Sequence, residues 1–126
     1  MFSIRLGVPE MEALWAELSS KAKMGTLGKN EAKLYIKMGK AMGLLSNNPK
    51  HPALHSHEIE ALSRRYGQKV WQSYLENKKS GAGRMYWVYG PEQNEITIIG
   101  LEPHPEDKKS SGYEKIRLSA TGQKEA

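Results

Sequence analysis

Four histidines, an arginine at the head of an aromatic run and a concentration of basic residues are the features of this sequence that can do chemistry. Three histidines fall together as His51-x3-His55-x-His57, and His104 is held between Pro103 and Pro105. Imidazole changes charge near neutral pH, so each can act as general acid, general base or metal ligand. The close spacing of the three invites a metal reading. No Asp or Cys neighbours them on this proline-bracketed stretch, however, and we assign no metal and no other cofactor. A loop histidine bonded to backbone is the plainer reading for any one of them. Arg84 carries a permanent charge and a planar fork of donors that matches a phosphate, or it pairs across a sheet with Glu76. Glu76 is itself a candidate base, or a carboxylate facing solvent.

The charge is locally concentrated. The chain has 126 residues, 19 Lys+Arg against 14 Asp+Glu, and a formal charge of +5. Between residues 64 and 84, Arg64, Arg65, Lys69, Lys78, Lys79 and Arg84 face one acid, Glu76, interleaved with Tyr66, Trp71 and Tyr74. Cations neutralise phosphates and rings stack on unpaired bases, so this mixture suits a nucleic-acid backbone. Its plainer reading is a solvated face that keeps the protein soluble. Trp71, Trp87 and Tyr89 read as core, and Tyr86 as either core or stacking surface.

Composition removes several classes. Without cysteine there is no disulfide framework, thiolate zinc site, iron–sulfur cluster or cysteine nucleophile. No apolar run approaches the roughly 20 residues that span a bilayer, and the first residues lack the basic-then-apolar order of a signal peptide. These features lead us to expect a soluble, cytoplasmic protein of one domain over residues 1–118, with a flexible tail at 119–126 and no internal repeat.

The elements that must position these groups follow from periodicity. Residues 2–6 alternate as a short strand and stop at Gly7. A helix of about four turns follows, with Met11, Leu14, Trp15, Leu18 and Ala22 on one face. Gly25 and Gly28 mark a break, and Asn30 is a plausible cap for a second helix running to about Leu45. Its stripe is read as Ala32, Tyr35, Ile36, Gly39, Met42 and Gly43, the glycines permitting close backbone approach. Residues 46–52 are turn-forming. Beyond His57, Ile59 and Ala61, then Val70 to Leu75, suggest two strands or one interrupted strand. Residues 84–89 and 96–101 are strands joined by a hairpin loop, and residues 113–118 form a short strand or a helical turn. The sum is an α+β domain of two layers, an N-terminal strand and helical hairpin packed on a mainly antiparallel, twisted sheet of four to five strands.

Within that order the motifs become specific. Asn48-Pro49-Lys50-His51-Pro52, then Gly83-Arg84-Met85-Tyr86-Trp87-Val88-Tyr89-Gly90-Pro91, then Glu95-Ile96-Thr97-Ile98-Ile99-Gly100-Leu101-Glu102-Pro103-His104-Pro105 resemble the RelE/ParE superfamily of bacterial type II toxins. The resemblance covers roughly residues 28 to 118. It implies a toxin held inactive by a co-encoded antitoxin. In the RelE-like branch, which we favour, the toxin is an endoribonuclease that cleaves mRNA on the ribosome and inhibits translation; in the ParE-like branch it poisons gyrase without being an enzyme. An inactive nucleic-acid-binding member of the fold is a third reading.

The resemblance also implies roles. Arg84 stands where the ribonuclease branch places an arginine on the scissile phosphate, and His104 where several relatives carry a proton-transfer histidine. His55 or His57 matches a histidine that some relatives place before the sheet as general base. Tyr113 echoes a tyrosine toward the C-terminus that stacks on or orients substrate. Arg64, Arg65, Lys69, Lys78, Lys79 and Tyr86 would then contact RNA. The loop at 46–58 and the turn at 78–83 are longer than in compact members.

Overall fold

The structure is a computed structural model and describes residues 1–75, 83–102 and 116–121. His104, Tyr113, Glu76, Lys78 and Lys79 lie outside the described residues. The chain is an α+β fold on an open sheet: strand β1 (Ser3–Leu6), helices α1 (Glu10–Met24) and α2 (Lys29–Asn47), and a 3-10 turn over Pro52–Leu54. Strand β2 (His57–Glu58), helix α3 (Glu60–Tyr66) and strands β3 (Trp71–Tyr74), β4 (Arg84–Tyr89) and β5 (Glu95–Glu102) follow.

The five strands lie in the order β1-β5-β4-β3-β2. Among the described residues, only the pairing of β1 with β5 is parallel. Placing β5 and β4 at the centre explains their near-continuous apolar runs, since a strand covered on both faces has no need of alternation. On one face, Met11 and Leu18 of α1 and Met38, Ala41 and Leu45 of α2 bury Met85, Trp87, Ile96, Ile98 and Leu101. The opposite face is covered too. There Ile59, Leu62 and Val70 close with Ile116 over Tyr86, Val88 and Ile99. A register shift between Tyr86 and Trp87 is the irregularity in this central pair.

Several local expectations are corrected. Residues 60–66 form a helix and not a strand: Ile59, Leu62 and Tyr66 follow helical spacing, and Gly67 closes the helix at φ 94°. The helix is tied to β3 by Ile59 N–H donating to Val70 O (2.9 Å) and Val70 N–H donating to Ser63 Oγ (2.8 Å). Gly28, not Asn30, caps α2, with Glu31 accepting from the Gly28 N–H at 2.9 Å. The inward stripe of α2 is Leu34, Met38, Ala41 and Leu45, flanked by Tyr35 and Met42. Ile36 faces outward at 67% exposure, and neither Gly39 nor Gly43 makes a close approach.

Close approach occurs elsewhere. A Cβ on Gly7 would lie 2.7 Å from Ala120 O, and one on Gly100 would lie 2.6 Å from Arg117 O. Both glycines admit the segment 116–120, which crosses the sheet face and pairs with Val8 through Ala120. Ser119 is therefore anchored, not frayed: its N–H donates to Ile99 O (2.7 Å) and its carbonyl accepts from Tyr66 OH (2.7 Å).

Candidate functional site

Arg84 is positioned by two neighbours in the sheet, Tyr74 on β3 and Glu102 on β5. Its Nη2 donates to Glu102 Oε1 at 2.7 Å; the arginine side chain is 26% exposed and the glutamate 5%. The ion partner found among the described residues is Glu102; Glu76 lies outside them. Arg84 Nε is shielded from water and has no hydrogen-bond partner among the described residues. A guanidinium held on one side and partly open on another keeps its charge and its orientation, which are the properties a phosphate site requires.

The histidines do not converge. His51 Nδ1 accepts from Ala53 N–H at 3.0 Å, so in the neutral ring the proton sits on Nε2. His55 ends the 3-10 turn in the left-handed conformation, φ 49° and ψ 45°, and its ring meets Tyr74 edge-on at 5.9 Å. His57 Nδ1 lies 3.0 Å from His55 O. A carbonyl only accepts, so His57 carries its proton on Nδ1 and keeps an acceptor lone pair on Nε2 when neutral. No three His, Cys, Asp or Glu side chains gather into a metal-holding group among the described residues.

What the fold does bring together is His55, Tyr74 and Arg84, because Tyr74 lies opposite Arg84 in the register and beneath the His55 ring. Tyr74, legible in the sequence only as one of the aromatics in the basic stretch, joins Arg84 and His55 here. Only the β3–β4 register reveals it.

The residues assigned to RNA contact divide. Tyr86 is fully buried among Ile59, Leu62 and Val88, so the RNA-stacking reading is corrected to a core role. Tyr89, read as core, is 40% exposed. Burial of its ring raises the phenol pKa. Arg64 pairs with Glu60 at 3.1 Å, both side chains largely in solvent. Arg65 donates to Ile116 O and so holds the C-terminal segment. Lys69 is exposed.

A groove of about 440 Å³ opens beside these groups. Its loop wall includes Lys50, His51, His55 and Ser56; its sheet wall is Trp71, Trp87 and Tyr89. The Trp71 and Trp87 rings are stacked at 5.8 Å, and Tyr89 stands edge-on to both, 5.0 Å from Trp87 and 6.0 Å from Trp71. A hydrogen-bond chain fixes one wall to the other. Trp87 Nε1–H donates to Ser73 Oγ (2.8 Å), Ser73 Oγ lies 2.7 Å from Ser56 Oγ, and Ser56 donates to Pro49 O (2.7 Å). Since Ser56 has spent its proton on Pro49, Ser73 is the donor between the two hydroxyls.

No protein-family model, curated protein or solved structure matches the chain. No helix among the described residues is long and apolar enough to cross a membrane.

Proposed function

We propose that this chain is a cytoplasmic toxin of the RelE/ParE type, neutralised by a cognate antitoxin, that cleaves mRNA on the ribosome without a metal ion. The observation that carries the reading is Arg84, an oriented and partly open guanidinium anchored by Glu102 at a strand end shared with Tyr74 and His55. The order strand, helical hairpin, antiparallel strands supports it as well.

Metal-free cleavage deprotonates a 2′-hydroxyl, stabilises the charge of a pentavalent phosphate and protonates the 5′-oxygen that leaves. Arg84 would stabilise the phosphate. His57, with an acceptor at Nε2, and His55 supply candidate bases, and His104, two positions after Glu102 in the sequence, supplies a further imidazole for proton transfer. Arg64 and Lys69 would add attraction to the RNA backbone, setting on-rate and salt dependence more than chemistry.

The same ion pair favours a second reading, in which Arg84 is structural and the chain inhibits gyrase as a ParE-like protein. Pulse-labelling of protein and DNA synthesis after induction of the chain in bacterial cells separates the two. Early loss of translation with DNA synthesis spared is expected for the ribonuclease; early loss of DNA synthesis would overturn it in favour of gyrase.

A further inference from the structure

The groove between the Pro49–Ser56 loop and the aromatic ends of β3 and β4 shares only His55 with the residues placed around Arg84. Its chemistry is one-sided: rings on the sheet wall, a lysine and two imidazoles on the loop wall, and no carboxylate lining it among the described residues. The volume of about 440 Å³ falls within the ~300–1,000 Å³ of small-molecule sites. The three rings pack against one another at 5.0–6.0 Å and leave no gap for a methylammonium between them. Lys50, exposed at the rim, repels cations besides. An occupant must therefore lie on the open side of the aromatic wall and bring negative charge to Lys50.

One donor awaits an acceptor there. His51 has spent Nδ1 on the Ala53 N–H, so Nε2–H is the polar group its neutral ring has left to offer. A planar heterocycle with an attached phosphate meets both requirements: a face for the aromatic wall, and an anion for Lys50 and His51.

We propose that this groove is a nucleotide-binding site, the base lying on the Trp71–Tyr89 wall and the phosphate at Lys50 and His51. The site goes beyond the cleavage chemistry and does not depend on it, since a chain that cuts no RNA would still bind here. A free mononucleotide and one nucleotide of an unpaired strand present the same groups; a base paired in a duplex hides its face.

The test is titration of the full chain with adenosine 5′-monophosphate and, separately, with a short 2′-O-methyl RNA strand that cannot be cleaved by 2′-hydroxyl attack, read through the indole N–H resonances in NMR. Trp15 stacks on Tyr35 at 4.9 Å on the helical hairpin and serves as internal control. Shifts at Trp71 and Trp87 with Trp15 unmoved are expected. Binding by the mononucleotide supports a free-nucleotide site, and binding by the strand alone supports a strand subsite. Lys50→Glu, an exposed change, should weaken either interaction by about tenfold or more with the melting temperature unchanged; adenosine without phosphate should lose a similar factor. Absence of shifts at Trp71 with both probes, or undiminished binding by Lys50→Glu, would overturn the proposal, whatever the outcome of cleavage assays.

Discussion

Arg84 Nη2 and Glu102 Oε1 meet at 2.7 Å across the β4–β5 pair, with the carboxylate almost wholly out of water. Truncating the arginine removes a charge partner from a carboxylate almost wholly out of water, so Arg84→Ala should lower unfolding free energy by about 2–4 kcal/mol, less than in a fully buried pair because Arg84 still reaches solvent. Loss of toxicity in that variant would therefore confound chemistry with stability. Arg84→Lys keeps the charge and loses the fork. It should stay folded by circular dichroism while cutting RNA roughly a hundredfold more slowly, the scale for one removed transition-state donor.

Ser73 is the pivot between Trp87 and the groove loop, and both Ser73 and Trp87 are buried. Ser73→Ala leaves the Trp87 Nε1–H without an acceptor and should cost about 1–3 kcal/mol in urea unfolding, whereas Ser56→Ala, at a half-buried site, should cost roughly 1 kcal/mol or less.

The glycines separate by what surrounds them. Gly100→Ala forces a Cβ to 2.6 Å from the Arg117 carbonyl and 3.1 Å from Leu118, and should destabilise by about 1–3 kcal/mol. Gly43 lies inside α2 with nothing within 4 Å of an added Cβ. Gly43→Ala should raise stability by about 0.5–1 kcal/mol through helix propensity. Thermal melts of the two variants should move in opposite directions.

Burial raises the phenol pKa of Tyr66, whose hydroxyl donates to Ser119 O at 2.7 Å. The fold thus favours the neutral ring, so this contribution is fully present below the unfolded value of about 10 and is lost as pH rises through the higher folded value. Stability should decline above about pH 10, and Tyr66→Phe should flatten that alkaline limb while costing about 1 kcal/mol at neutral pH. Urea midpoints measured from pH 8 to 11 check both.

Legibility in the sequence followed the amount of pattern each element carries. The helical hairpin and the strands at β4 and β5 span enough residues to display a period or an unbroken apolar run. Helix α3 has seven residues, too few for Ile59, Leu62 and Tyr66 to outweigh an apparent alternation at Ile59 and Ala61. On α2, the stripe through Ile36 and the stripe through Met38 both fit a 3.6-residue period, and only the packed partner chooses between them. Tyr86, which read as either core or stacking surface, is core because α3 and Ile116 cover the second sheet face, whereas Tyr89, read as core, is partly exposed. Arg84 was visible as a residue suited to phosphate; that Glu102 holds it depends on the β4–β5 register, which is a tertiary fact.

The most direct measurement is end-group analysis of mRNA from a translation reaction supplied with the purified chain. Attack by a 2′-hydroxyl leaves a 2′,3′-cyclic phosphate on one fragment and a 5′-hydroxyl on the other. New fragments are expected whose 5′ ends accept phosphate from polynucleotide kinase without prior dephosphorylation, formed by the wild type and greatly reduced with Arg84→Lys. Fragments with 5′-phosphate ends, equal cleavage by folded Arg84→Lys, or intact mRNA under conditions where the chain arrests growth would contradict it.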